Sequence, residues 1–162
     1  MADRKIREVI PAALPYAEST IQRFSHVGIL VFDQHAARDF YVNKLGFEVR
    51  MDQTMDNGYR WLTVSPKGQP DLQIILPKVD GPNMKPEVAA TLKSLMEKTG
   101  LSGGVLQVDD CRTTYEELRA KGVEFLSPPA DRFYGVECIL KDNKDNSNNW
   151  FSMTQPKALL PM

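Results

Sequence analysis

Ser25-His26-Val27-Gly28-Ile29-Leu30-Val31-Phe32-Asp33 returns in outline as Gly103-Gly104-Val105-Leu106-Gln107-Val108-Asp109-Asp110. Both stretches are apolar and end in an acidic side chain, where a helix start wants an oxygen to accept the first free backbone N–H groups. Behind the first stretch, Ala37, Phe40, Tyr41 and Leu45 recur at helical spacing and Gly46 follows; behind the second, residues 115–121 form a helical pattern closed by Gly122. Laying Val31-Phe32-Asp33 over Val108-Asp109-Asp110 is a shift of 77 positions, and it brings both helices and both glycines into register within one residue. Order, length, acidic step and capping glycine recur together, which marks an internal duplication.

Reading outward completes each copy. Residues 47–56 and 59–65 flank Asn57-Gly58, whose two residues both tolerate positive φ and make a hairpin. A third strand over 72–76 follows the Lys67-Gly68-Gln69-Pro70 turn, so the first copy runs strand, helix, three strands. The second runs through strands at 105–108, 123–126, 135–140 and 149–154 around its helix. Between them, Asp80-Gly81-Pro82-Asn83 breaks the chain and 86–99 reads as a helix with Val88, Leu92, Leu95 and Met96 on one face. The sequence therefore predicts an α+β domain over 23–155, made of two tandem βαβββ modules (23–79 and 103–155) joined by a linker segment with its helix (80–102). Residues 1–22, interrupted by Pro11 and Pro15, read as a helical arm, and 156–162 as a tail.

Composition narrows the function. Twenty basic residues stand against twenty-one acidic ones for a net charge of -1, without the basic stripe of a nucleic-acid binder. The longest apolar run is far short of the ~20 residues of a membrane span. The mixed-charge start of the chain lacks the roughly 7–15 apolar residues of a secretory signal. Two cysteines, Cys111 and Cys138, cannot form a secreted-type disulfide framework, so a reducing cytoplasm is the expected compartment. No phosphate loop, serine elbow or paired-carboxylate motif is present, and residues 142–149 resemble a calcium loop in composition alone.

Ser25 to Val31, Asp39-Phe40-Tyr41, Leu45-Gly46-Phe47, Val108-Asp109-Asp110, Tyr134-Gly135-Val136-Glu137 and Asn149-Trp150-Phe151 resemble the vicinal oxygen chelate superfamily, which comprises glyoxalase I, bleomycin-resistance proteins and extradiol dioxygenases. The resemblance spans residues 24–155. It implies a U-shaped mixed sheet around a cavity, a homodimer, and, in metal-dependent members, four ligands on the first and last strands of each module. Those positions fall here on His26, Gln73, Gly103 and Ser152. One imidazole with an amide, a hydroxyl and a glycine brings no charge to hold a divalent ion.

Strand alternation then gives the cavity wall: His26, Gly28, Leu30, Gln73, Ile75, Gly103, Val105, Gln107, Trp150, Ser152 and Thr154, with Tyr59, Trp61 and Tyr134 at its rim. Apolar walls with a few fixed hydrogen-bonding groups suit a small organic molecule. The expected ligand contacts are His26, Trp61, Gln73, Gln107, Tyr134, Trp150 and Ser152, with no metal and no cofactor. The leading expectation is a metal-free binding protein of the bleomycin-resistance type. The alternative is a lyase, isomerase or epimerase using His26 as general base, or a metal held by residues such as Glu137. A third reading is an interaction subunit built on the arm and the 86–99 helix.

Overall fold

The two acidic steps are helix caps. The Asp33 carboxylate accepts from the N–H groups of His35 and Ala36 at 2.7 and 3.0 Å, and the Asp110 carboxylate from the N–H of Thr113 at 2.9 Å. These bonds, the Ala36 N–H foremost for Asp33 and the Thr113 N–H for Asp110, hold both carboxyls below the ordinary range. The helices close at Gly46 (φ 75°) and Gly122 (φ 79°), where a left-handed residue is required.

The computed structural model describes residues 20–142 and 145–157. The expected arm up to residue 19 and the tail beyond 157 lie outside them. In chain order the elements are β1 (His26–Gly28), α1 (Gln34–Asp39, continued by a π-helical turn over Phe40–Lys44), β2 (Glu48–Thr54), β3 (Arg60–Ser65), β4 (Gln73–Ile75), α2 (Pro86–Thr99), β5 (Ser102–Gln107), α3 (Cys111–Ala120), β6 (Glu124–Arg132), β7 (Gly135–Lys141) and β8 (Trp150–Pro156). The strands hydrogen-bond as two four-stranded mixed sheets, ordered β1-β4-β3-β2 and β5-β8-β7-β6. In each, the first strand runs parallel to the last and the other neighbours are antiparallel. This is an α+β fold of two tandem βαβββ modules.

Two elements depart from the sequence pattern. β6 runs on through Pro128 and Pro129, which it tolerates because it is an outer strand with irregular pairing between Ser127 and Ala130. α3 begins at Cys111 rather than near Tyr115, directly behind its Asp110 cap.

One apolar cluster joins the modules. Ile29, Val31, Leu62, Val64 and Leu76 pack with Phe40, Tyr41 and Phe47 on one side, and Leu118, Val123, Leu140, Phe151 and Met153 on the other. The rings of Tyr41 and Phe151 meet edge to face, centroids 6.2 Å apart. Polar bonds complete the junction. Asn149 Nδ2 donates to the Leu30 carbonyl at 2.9 Å, Asn149 Oδ1 accepts from the Leu101 N–H at 2.9 Å, and the Phe32 N–H donates to the Asn146 carbonyl at 2.6 Å. Segment 146–149 is thus a buried polar lock between the stretch after β1, α2 and the second sheet, since Asn148 Nδ2 also donates to the Met96 carbonyl at the end of α2.

Candidate ligand site

Each sheet has a face turned to the common core and a face turned away from it. On β3, Leu62 and Val64 are buried in the core, so alternation places Trp61, Thr63 and Ser65 on the opposite, inner face. Pairing carries that face across the sheet: Thr63 stands opposite Ile75, and His26 opposite Gln73. In the second module Phe151 and Met153 are core residues, which puts Trp150, Ser152 and Thr154 on the inner face, level with Val105, Gln107, Glu137 and Ile139. The two tryptophans of the chain are therefore divided, one to each inner face.

The first inner face is aromatic around His26, and further along it Arg50 Nε donates to Ser65 Oγ at 2.6 Å and pairs with Glu48. His26 stands edge-on to Trp61 with ring centroids 5.8 Å apart, and Tyr59 lies 6.3 Å beyond. Thr63 donates to Gln73 Oε1 at 2.7 Å, and His26 Nδ1 is 3.0 Å from Ser25 Oγ. The second face carries charge. Ser152 donates to Glu137 Oε2 at 2.8 Å, Arg132 Nε is 3.7 Å from Glu137 Oε1, and the phenol of Tyr134, in the turn between β6 and β7, stands near Glu137. Partial desolvation first, and the Glu137 carboxylate second, hold that phenol above its ordinary value. Val105, 69 % exposed, and Leu126, 59 % exposed, leave apolar side chains on the open side of this sheet.

The register corrects one assignment. A Cβ on Gly103 would lie 2.2 Å from the Phe151 ring, so Gly103 is turned toward the core. His26 pairs with Gln73, and 79 positions further along both strands Val105 pairs with Ser152. The helix caps repeat at 77; the two extra residues of the first module lie between β1 and α1, which a single overlay of letters does not resolve. The residue equivalent to His26 is thus Val105.

The set His26, Gln73, Val105 and Ser152 does not fit a divalent cation. An isopropyl group offers no donor, the Gln73 oxygen is engaged by Thr63, and the Ser152 hydroxyl is given to Glu137. Among the described residues no group of three or more His, Cys, Asp or Glu side chains is placed to hold a metal.

The sequence-predicted contacts fall into two groups. His26, Trp61 and Gln73 share the first inner face; Gln107, Trp150 and Ser152 share the second, with Tyr134 at its edge. A cleft of about 500 Å³ between the modules is lined by Leu45, Phe47, Gln107, Leu118 and Met153 but by no other predicted contact. A cleft of about 320 Å³ between β1 and the start of β5 is lined by Gly28, Leu30, Ser102 and Gly103. Neither brings His26 to Ser152. His26 lies four residues before Leu30, and Ser152 three after Asn149, the two residues that meet at the module junction. Glu137 was absent from the wall expected from the sequence. The period-two pattern of β7, with Cys138 and Leu140 buried, is the signal that puts it there.

Comparison with known proteins agrees with this architecture. The chain is 43 % identical to UcmS2, whose crystal structure superposes with a TM-score of 0.77 over 83 % of this chain and 98 % of that one. It is 29 % identical to TnmS3, an antibiotic binding protein from Streptomyces sp. CB03234, with a TM-score of 0.66 over 86 % and 99 % of the two chains. The protein YetH of Bacillus subtilis is 31 % identical over 126 residues, 78 % of this chain and 94 % of its own. Residues 23–152 match the profile of one family, and with the paired βαβββ modules in place the chain belongs to the Glyoxalase/Bleomycin resistance protein/Dioxygenase superfamily.

Proposed function

We propose that this protein is a metal-free receptor for a small organic molecule, acting as a cytoplasmic homodimer in which the inner face of the first module of one chain closes over the inner face of the second module of its partner. One observation carries the reading: each inner face bears a tryptophan and a set of oriented polar groups, yet neither cleft at the module junction holds both His26 and Ser152, and Val105 and Leu126 stand open. Apolar side chains beside oriented donors are the composition of a binding pocket, and a second copy supplies the missing wall. The donor set that fails to fit a cation favours holding over metal-assisted chemistry. The likeness to TnmS3 supports a ligand of the antibiotic kind. The free thiols of Cys111 and Cys138, with sulfurs 3.7 Å apart, accord with a reducing compartment, and no helix among the described residues is long and apolar enough to cross a membrane.

The test is sedimentation of the full chain together with titration by a panel of aromatic natural products, following tryptophan fluorescence. The reading expects a dimer and a saturable change at one site per Trp61–Trp150 pair, reduced in both Trp61→Ala and Trp150→Ala. A monomer at tens of micromolar that binds nothing, or a purified protein carrying one equivalent of a transition metal, overturns it.

A further inference from the structure

The two inner faces differ in one respect that bears on what they hold. The first presents rings and an amide around His26, with an Arg50–Glu48 pair at Ser65, whereas the second presents a carboxylate on its central strands. Glu137 stands opposite Thr154 and two pairs along from Ser152, and its side chain is only 16 % exposed. A carboxylate desolvated to that degree is costly unless its oxygens are used, and its two oxygens can together accept about four hydrogen bonds. Ser152 supplies one to Oε2. Arg132 Nε, at 3.7 Å from Oε1, is close enough to offset charge but too far for a hydrogen bond. Ser152 thus orients the group, Arg132 tempers it, the Tyr134 phenol stands near it, and these three together leave part of its acceptor capacity for a ligand.

We infer that Glu137 is the polar anchor of the ligand site, selecting aromatic molecules that are uncharged or cationic and that present a hydroxyl or amine donor to its carboxylate while their ring lies against Trp61. The assignment rests on the receptor reading above. Its chemistry excludes ligands whose corresponding edge is a carboxylate, because two acceptors would then face each other. It also predicts poor binding when the donor is capped by methylation. Ser152 is a positioning residue: its hydroxyl holds one carboxylate oxygen so that the other is aimed outward.

Calorimetric titration of the full-length protein with naphthol and with its methyl ether separates anchor from receptor. Wild type is expected to bind naphthol roughly tenfold or more tightly than the ether, the range of a charge-assisted hydrogen bond. Glu137→Gln keeps the Ser152 bond but turns one acceptor into a donor, and is expected to bring naphthol down to the ether's affinity and leave the ether unchanged. Ser152→Ala is expected to weaken naphthol alone, by less. Trp61→Ala should weaken both probes alike. If Glu137→Gln and Ser152→Ala leave naphthol binding unchanged while Trp61→Ala weakens it, the receptor stands and the anchor falls. If wild type binds neither probe, both fall.

Discussion

Gly103 and Phe151 occupy each other's space: a methyl carbon added to the glycine would lie 2.2 to 2.8 Å from three atoms of the phenylalanine ring. Phe151 in turn is buried against Tyr41 across the module junction. The glycine at the start of β5 is therefore a consequence of joining two modules through one aromatic contact. It is also why the letter-by-letter equivalent of His26 is not its spatial equivalent. Gly103→Ala is expected to cost about 1–3 kcal/mol through overpacking, read as a lower thermal midpoint. Val105→His, on the open face, should leave the unfolding free energy within about 0.5 kcal/mol of wild type. Equal effects of the two would contradict the register.

Asn149 bridges the modules with both ends of its amide, donating to Leu30 and accepting from Leu101. Asn149→Ala removes the partners of a part-buried carbonyl and a part-buried N–H at once, at about 1 kcal/mol for each bond lost. Asn149→Asp retains only the acceptor. Chemical denaturation should rank wild type above Asp and Asp above Ala, and an Ala variant as stable as wild type would show that the lock is not required.

Tyr41 buries its hydroxyl without a hydrogen-bond partner among the described residues. Burial first, and the nearby Asp142 charge second, push its phenol well above the ordinary value. The ring is needed for the Phe40, Phe47 and Phe151 contacts, the oxygen is not. Tyr41→Phe is thus expected to be neutral or to stabilise by up to about 1 kcal/mol, and Tyr41→Ala to lose about 3–5 kcal/mol. A substantial loss in Tyr41→Phe would show that the hydroxyl is used.

Cys138 faces Cys111 beneath the second sheet, and burial, followed by the Cys111 thiol, pushes its own thiol up to about 12. The folded state binds this proton more tightly than the unfolded chain does, so the stability it contributes is complete below the unfolded value near ~8.5 and is lost as the pH climbs toward 12. Unfolding free energy should fall over that alkaline window, less steeply in Cys138→Ala. Thiol reagents at pH 8 should label the native protein far more slowly than the denatured chain. Prompt labelling of both thiols in the native state would exclude this burial.

Local chemistry was readable from the letters wherever it is local in space. Asp33 and Asp110 as caps, Gly46 and Gly122 as left-handed ends, Pro86–Thr99 as a helix and the alternation of β3 and β8 all depend on residues a few positions apart. Duplication was readable because those local devices recur in order. Which side chains share a strand face followed from period two, as on β3 and β8.

Tertiary structure alone decided the rest. The turn of Gly103 away from the ligand face depends on a ring forty-eight positions later. The register of Val105 with Ser152 depends on a bulge at the start of β5. The partnership of Ser152 with Glu137 and Arg132 is set by three strands meeting. The seating of one module on the other depends on the Asn149 bridge and the Tyr41–Phe151 contact. Sequence specifies how each segment hydrogen-bonds with itself, through propensity and capping. How two similar halves lie against each other is settled by side-chain volume and paired polar groups far apart in the chain, and no periodicity within either half encodes it.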